Sequence, residues 1–142
     1  MKIFFLLFAF AGVATIAVTA QSHKNIPLVV RTAFSQKFPG AENVKWGKEN
    51  IAEYEAEFEI NEIVMSANYL SDGKWLETES RIPVSLLPSG VASAIAVQFP
   101  NTTLMEADKI ERADKDTLYE VVIKKGSKKK EVIFTQNGII QK

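Results

Sequence analysis

Cysteine is absent from this chain of 142 residues, and histidine occurs once, as His23. Without cysteine, a disulfide framework, a thiolate zinc site and a cysteine nucleophile are all excluded. His23 lies beside a predicted cleavage site, so no histidine is left inside the fold to complete a serine triad. Neither a glycine-rich phosphate loop nor a metal-ligand spacing occurs. We therefore expect no enzyme activity, no cofactor and no bound metal.

An excess of charge of one sign is also missing, because 17 Lys and Arg residues balance 17 Asp and Glu residues. This balance argues against a nucleic-acid partner. Hydrophobic residues make up 46% of the chain and aromatic residues 10%, which is enough to build a core. Residues 21–81 carry a net charge of −3 and residues 82–142 carry +2, a mild dipole that suits recognition of another protein.

The N-terminal segment has the layout of a secretory signal peptide. Met1-Lys2 gives a positive start, Ile3–Val18 is uncharged and apolar apart from one threonine, and Val18-Thr19-Ala20 supplies the small residues of a cleavage site. We expect cleavage after Ala20, a periplasmic or secreted location, and no stable membrane anchor afterwards. The alternative is an N-terminal anchor, but the apolar run falls short of the roughly 20 residues that span a bilayer.

The remaining chain, residues 21–142, is predicted to be a single domain made of two repeats, 26–80 and 87–142. The repeats align at an offset of 61 residues in their first part and 65 in their second. The difference falls in the polar stretch 108–116, which predicts a lengthened loop there. The matched pairs are Ile26-Pro27 with Leu87-Pro88, Phe38-Pro39 with Phe99-Pro100, Tyr54-Glu55 with Tyr119-Glu120, and Asp72-Gly73 with Asn137-Gly138.

Each repeat is predicted to be a helix followed by a meander of three or four strands. A helical apolar stripe comes first and ends at a proline, and the hydrophobic period then changes from 3.6 to 2. Residues 53–60 alternate strictly, and a two-residue turn at Asn61-Glu62 pairs every apolar residue of this strand with an apolar residue of the next. The predicted fold class is α+β, with one antiparallel sheet and both helices packed on one face.

These residues together resemble the PepSY-like secreted proteins, a family similar to the β-lactamase inhibitory protein. The resemblance covers nearly all of residues 21–142. It implies the tandem fold, an exported location and a non-enzymatic role, since related domains inhibit peptidases or bind β-lactamases. It supplies no site residue. The features that carry it are the signal segment, the Pro27…Phe38-Pro39 and Pro88…Phe99-Pro100 helix boundaries, the Tyr54 and Tyr119 strands, and the Asp72-Gly73 and Asn137-Gly138 turns.

An acidic ladder of four carboxylates occupies one face of the strand 53–60. Alternate residues of a strand lie about 6.8 Å apart, at roughly 3.4 Å per residue, which is too far for one calcium ion to bind two of them unaided. The ladder is either a solvated face or a site for a cation or a cationic peptide. Its members are Glu53, Glu55, Glu57 and Glu59.

The second repeat does not copy this ladder. Leu118 and Val122 replace two of its carboxylates, and Ile133 joins them from the neighbouring strand. The three residues form a candidate partner-binding patch together with the acidic ladder. The other interpretation is that they pack against the segment between the repeats or against the other repeat.

Five lysines surround Gly126-Ser127, at positions 124, 125 and 128–130. Such a cluster either attracts an anionic surface or keeps a strand edge soluble. Trp46 and Trp75 are predicted to be core or sheet-face residues, and an exposed tryptophan would be an interface anchor.

The leading hypothesis is a non-enzymatic periplasmic module that binds another envelope protein through the open sheet face, in the manner of an inhibitor. One alternative is a binder of a small ligand or cation that uses the acidic ladder. Another is an envelope structural or stress protein without a discrete ligand.

Overall fold

The structure is a computed structural model that describes residues 25–48, 50–114 and 116–141. The predicted signal segment lies outside these residues. The described chain forms two helices and seven strands, and the order of a helix followed by strands occurs twice. The elements are α1 (Leu28–Lys37), β1 (Glu42–Lys48), β2 (Glu53–Ile60), β3 (Ile63–Leu70), β4 (Trp75–Arg81), α2 (Ser89–Gln98), β5 (Thr103–Arg112), β6 (Thr117–Lys125) and β7 (Lys128–Thr135).

The seven strands form one antiparallel sheet in which each strand lies beside the next in sequence, from β1 to β7. The predicted hairpin register between β2 and β3 is confirmed, since Ile60 pairs with Ile63 and Phe58 with Met65. Asn61 and Glu62 both have positive φ, 50° and 65°, as the tight turn of a two-residue hairpin requires. The α+β class is therefore confirmed.

Each helix shares a buried cluster with the strands that follow it. Val30 and Phe34 of α1 are buried in one cluster with Phe58 and Tyr69. The corresponding cluster of α2 contains Val91, Ile95, Val121 and Phe134. The helical apolar stripes read from the sequence are thus the faces that the helices bury.

The lengthened loop expected in the stretch 108–116 is wrong. Strand β5 continues to Arg112, and only residues 113–116 form the turn to β6. The extra residues lengthen the strand because β5 lies between β4 and β6, and both neighbours offer pairing partners to its polar residues. Of the three or four strands predicted for each repeat, the first repeat has four and the second has three, and beyond β7 Ile140 forms an isolated bridge with Phe134.

The two helix-and-strand halves meet where β4 pairs with β5, a contact called the seam below. Its register places Arg81 opposite Asp108 and Glu79 opposite Ile110. A short 3-10 helix, Val84–Leu86, connects β4 to α2. Neither helix of the described residues has the length and apolar character needed to cross a membrane.

Candidate functional site

The outer face of the sheet is defined as the side that contributes no residue to either core cluster. Across the seam, two rows of paired residues run over it. One row passes from Glu57 through Ser66, Glu79 and Ile110 to Leu118. The adjacent row consists of Arg81, Asp108, Glu120 and Ile133.

A cleft of about 530 Å³, a volume that includes its open side, lies in the middle of the outer face. Strands β2 to β6 all contribute to it, so it spans the seam and belongs to neither half alone. Its lining contains six carboxylates and a single guanidinium, together with apolar side chains. The lining residues are Glu55, Glu57, Val64, Met65, Ser66, Glu79, Arg81, Glu106, Asp108, Glu120 and Val122.

Arg81 neutralises two of these carboxylates. Its Nη1 lies 2.7 Å from Oε2 of Glu106, and its Nε lies 2.7 Å from Oδ1 of Asp108. Asp108 is 7% exposed, so the charge-assisted bond that it accepts is sheltered from water. Burial nevertheless raises the pKa of Asp108, with Arg81 acting in the opposite direction. One cation from β4 thereby joins two carboxylates of β5 and stabilises the seam.

Two other carboxylates in the cleft have no such partner. Among the described residues, neither Glu79 nor Glu120 accepts a hydrogen bond or forms an ion pair. Burial, reinforced by neighbouring carboxylates, raises the pKa of Glu79 to about 8. Burial and the nearby Glu131 raise the pKa of Glu120 to about 7. The cleft therefore holds two carboxylates that burial keeps partly protonated near neutral pH.

The apolar residues predicted as a surface patch are less accessible than expected. Leu118 is 3% exposed and Val122 is 6% exposed, whereas Ile133 is half-buried. Val122 lines the cleft between strands that carry long charged side chains, and Leu118 pairs with Ile110 and Thr135. Both residues lie on the interior strand β6 with neighbouring strands on either side, which explains the burial. The three residues thus form no exposed patch, and their part in binding stays a prediction.

The acidic ladder of β2 is divided between two environments. Glu55 and Glu57 line the cleft, while the outer members are engaged elsewhere. Nδ2 of Asn50 donates to Glu53, and Nδ2 of Asn43 donates to Glu59. All four side chains are half-buried. Only the two central carboxylates are thus placed to act together with the residues of β4 to β6.

The structure also places the remaining candidates. Trp46 is buried in the first core cluster, and Trp75 packs against it beneath Lys37, whose Nζ lies 3.8 Å from the ring centroid. The five lysines lie at the β6–β7 hairpin, where residues 125 and 128–130 are exposed. In the part of the chain that is described, no group of three or more acidic or histidine side chains could hold a metal ion.

Sequence reasoning missed the residues at the centre of the cleft, which are Glu79, Arg81, Glu106 and Asp108. Glu79 and Arg81 stand at alternate positions near the end of β4, and Glu106 and Asp108 do so in β5. This alternation is a usable signal of a strand face, but the polar composition of residues 108–116 favours a loop and masks it. The pairing of β4 with β5 could not be read because α2 separates the two strands.

Comparison with known protein families identifies the family to which this chain belongs. The model of a family described as "Putative beta-lactamase-inhibitor-like, PepSY-like" matches residues 16–66 and again residues 52–142. The chain belongs to this PepSY-like family. The expected family resemblance is thereby confirmed, and two successive matches to one model suggest a tandem repeat.

Solved structures with the same fold come from Bacteroides species. A protein of Bacteroides eggerthii described as periplasmic has a TM-score of 0.75 at 19% identity and covers 82% of this chain and 86% of its own. A DUF2874 family protein of Bacteroides uniformis has a TM-score of 0.74 at 18% identity, with the same coverage of 82% and 86%. A BLIP-like protein of Bacteroides fragilis has a TM-score of 0.67 at 20% identity and covers 80% of this chain and 82% of its own.

At these identities the likeness shows the fold of this PepSY-like protein. No curated protein sequence matches the chain.

Proposed function

We propose that this PepSY-like protein is an exported, non-enzymatic module that binds another protein of the cell envelope through its outer face, in the manner of an inhibitor. The main support for this proposal is that the core residues of both halves lie on the same side of the sheet. By register, Phe58 and Tyr69 lie on the same side as Val121 and Phe134. These residues belong to the two clusters that the helices share, which supports a sheet with both helices on that side and an outer face left for a partner.

The outer face has the chemistry of a recognition surface. It combines apolar side chains such as Val64 and Val122 with charged groups at its centre, and it forms a cleft that a protruding segment of a partner can enter. The described residues contain neither histidine nor cysteine, so the cleft holds no thiol nucleophile, and Ser66 in its lining has no imidazole base beside it. Binding is therefore a better account of the cleft than catalysis.

An exported location fits both the signal-peptide layout of residues 1–20 and the periplasmic description of the Bacteroides eggerthii protein with the same fold. The Bacteroides fragilis protein is called BLIP-like, and its fold match supports an inhibitor-like use of the sheet. In the envelope, a cysteine-free domain must be stabilised by its cores alone, and the two buried clusters provide this.

Two exposed valines on opposite sides of the molecule give a matched test. Val64 is 47% exposed on the outer face, and Val97 is 79% exposed on α2. A photocrosslinking amino acid is placed at either position in the full chain, which is then expressed in the source cells and irradiated. We expect one defined crosslinked product from position 64 and none from position 97. Equal crosslinking from both positions, or product from position 97 alone, would refute binding through the outer face.

A further inference from the structure

We infer that the central cleft is an anchor pocket for one lysine or arginine side chain, presented by a segment of the partner protein. The inference rests on the proposed function, because it specifies the chemistry of the partner that the outer face binds. The observations behind it are a buried carboxylate that has no hydrogen bond or ion pair among the described residues, the engagement of the nearby arginines with other carboxylates, and apolar walls that fit an aliphatic stem.

Glu120 is a buried carboxylate in the cleft whose charge is not compensated by a direct partner among the described residues. It is only 8% exposed, it lines the cleft, and it forms no hydrogen bond or ion pair with any of the described residues. Taking a carboxylate out of water costs free energy unless a cation or hydrogen-bond donor compensates it. Glu79 lines the same cleft and also lacks a partner there. An incoming ammonium or guanidinium group would supply what both carboxylates lack.

The cations of the cleft region are already engaged. Arg81 is bound to Glu106 and Asp108, and Arg112 has Glu77 at 3.9 Å and Asp114 at 3.4 Å. Lys45 lies opposite Glu57 in the β1–β2 register, so the carboxylates that no cation of the described residues pairs with are Glu79 and Glu120. Charge complementarity then favours a cationic occupant over a neutral or anionic one.

The walls favour an amino-acid side chain over a metal ion. Val64 and Val122 line the cleft with outward-facing side chains, and apolar walls of this kind pack against the methylene stem of lysine or arginine while the charged head reaches the carboxylates. Glu79 and Glu120 stand on β4 and β6 with β5 between them, so their backbones are roughly 10–12 Å apart at the usual strand spacing. The side chains must therefore converge on a shared cation; a guanidinium offers five donors to do this, whereas no group of three acidic side chains among the described residues could hold a metal ion.

Binding of a cation to these carboxylates depends on pH with a definite sign. The cation binds the deprotonated forms, so the affinity should rise with pH through the region from about 7 to 8, where Glu120 and Glu79 lose their protons. Other charged groups face this pair from each neighbouring strand and contribute to the same field. They are Glu55 and Glu57 on β2, Glu77 and Arg81 on β4, Glu106, Asp108 and Arg112 on β5, and Glu131 on β7.

The test uses three capped pentapeptides, Gly-Gly-X-Gly-Gly with lysine, arginine or norleucine at X, titrated into the isotopically labelled chain and followed by NMR. We expect the lysine and arginine peptides to shift amide signals of β4 to β6 at millimolar concentration, and the norleucine peptide to have no such effect. Glu120→Gln and Glu79→Gln should each weaken binding about tenfold, and wild-type affinity should rise at least threefold from pH 6 to pH 8.5. Glu62→Gln, in the exposed β2–β3 turn, is the matched control and should bind like the wild type.

Three results would overturn the inference. They are equal binding of the norleucine peptide, shifts spread evenly over the surface, and unchanged affinity in Glu120→Gln. Spermidine is titrated in parallel, and binding of spermidine without binding of either cationic peptide would assign the cleft to a free polyamine instead. The amide spectrum of each variant reports whether it is folded.

Failure of the inference is distinguishable from failure of the proposed function. If position 64 still crosslinks one partner while the cationic peptides do not bind, the outer face binds a protein by another chemistry. If the peptides bind but position 64 captures nothing, the pocket accepts cations although the proposed envelope partner is wrong.

Discussion

The two halves of the molecule reach the same arrangement with different side chains. In the first half, Phe34 makes ring contacts with four other aromatic residues, at centroid distances from 5.0 to 6.4 Å. In the second half, the described ring contact is that of Phe99 with Phe134 at 6.5 Å, and the rest of the cluster is mainly aliphatic. One half fills its core with large rings and the other brings its backbone closer.

The closer approach is visible at the contact between each helix and the last turn of its half. A Cβ atom built at Gly90 would lie 2.9 Å from the backbone of the turn containing Asn137, and one built at Gly138 would overlap the carbonyl of Gly90. In the first half, the matched contact joins Val29 to Gly73, and a Cβ at Gly73 would lie 3.0 Å from a methyl group of Val29. The two halves show that a core of smaller side chains is filled by a helix that lies closer to the sheet, and a core of larger side chains by one that lies farther away.

The largest expected effect comes from removing the central ring. Phe34→Ala should lower the free energy of unfolding by about 4 kcal/mol, since it leaves a cavity among several rings, whereas Ile95→Ala at the matched position should cost about 3 kcal/mol. Phe34 is 5% exposed and Ile95 is 6% exposed, so burial does not distinguish them. Urea unfolding followed by circular dichroism measures both. A larger loss for Ile95→Ala would contradict the ring-based account of the first core.

The glycine contacts should rank in the opposite order. Gly138→Ala should cost about 3 kcal/mol, because the new methyl group meets backbone and the residue has a φ of 80°. Gly73→Ala has a similar φ of 87° but meets looser contacts, 3.0 Å to a methyl group and 3.1 Å to the carbonyl oxygen of Val29, so about 1–2 kcal/mol is expected. The same urea experiment applies. Equal losses at the two glycines would mean that both halves pack their helices with similar clearance.

A smaller effect is expected at the seam, and it depends on pH. Burial raises the pKa of Glu79 to about 8 in the folded state, above its ordinary value of 4.5, so folding takes up a proton between these pH values. Stability from this group is therefore fully present below about pH 4.5 and is lost as the pH rises towards 8. At pH 8.5, Glu79→Gln should raise the free energy of unfolding by roughly 2 kcal/mol, and the Tm should rise with it. The same change should flatten the dependence of stability on pH.

The control for this prediction is Glu62→Gln, whose side chain lies in the exposed turn of the first half. It should leave both the Tm and its pH profile unchanged. A Glu79→Gln variant whose Tm falls at pH 8.5 would show that the carboxylate has a stabilising partner, which is contrary to the contacts described.

Much of each half could be predicted from its own sequence, because its elements are local. The alternation of residues 53–60 and the Asn61-Glu62 turn were sufficient to give the β2–β3 register, which the structure confirms. The cleft could not be predicted in the same way. It depends on Arg81 meeting Asp108 and on Glu79 lying beside Glu120, and these contacts join strands on opposite sides of α2. Periodicity reports which side of a strand is buried, but not which strands are neighbours across a long connection.

The order of the strands also determines which strand pairing causes the largest loss of chain entropy during folding. Strands β1 to β4 and β5 to β7 are joined by short turns, so few residues must be ordered to form each pairing. The bond between Arg81 and Asp108 closes a separation of 27 residues, with all of α2 inside the loop. The seam is thus the long-range step in assembling the sheet, and the ion pairs of Arg81 lie where that entropic cost is concentrated.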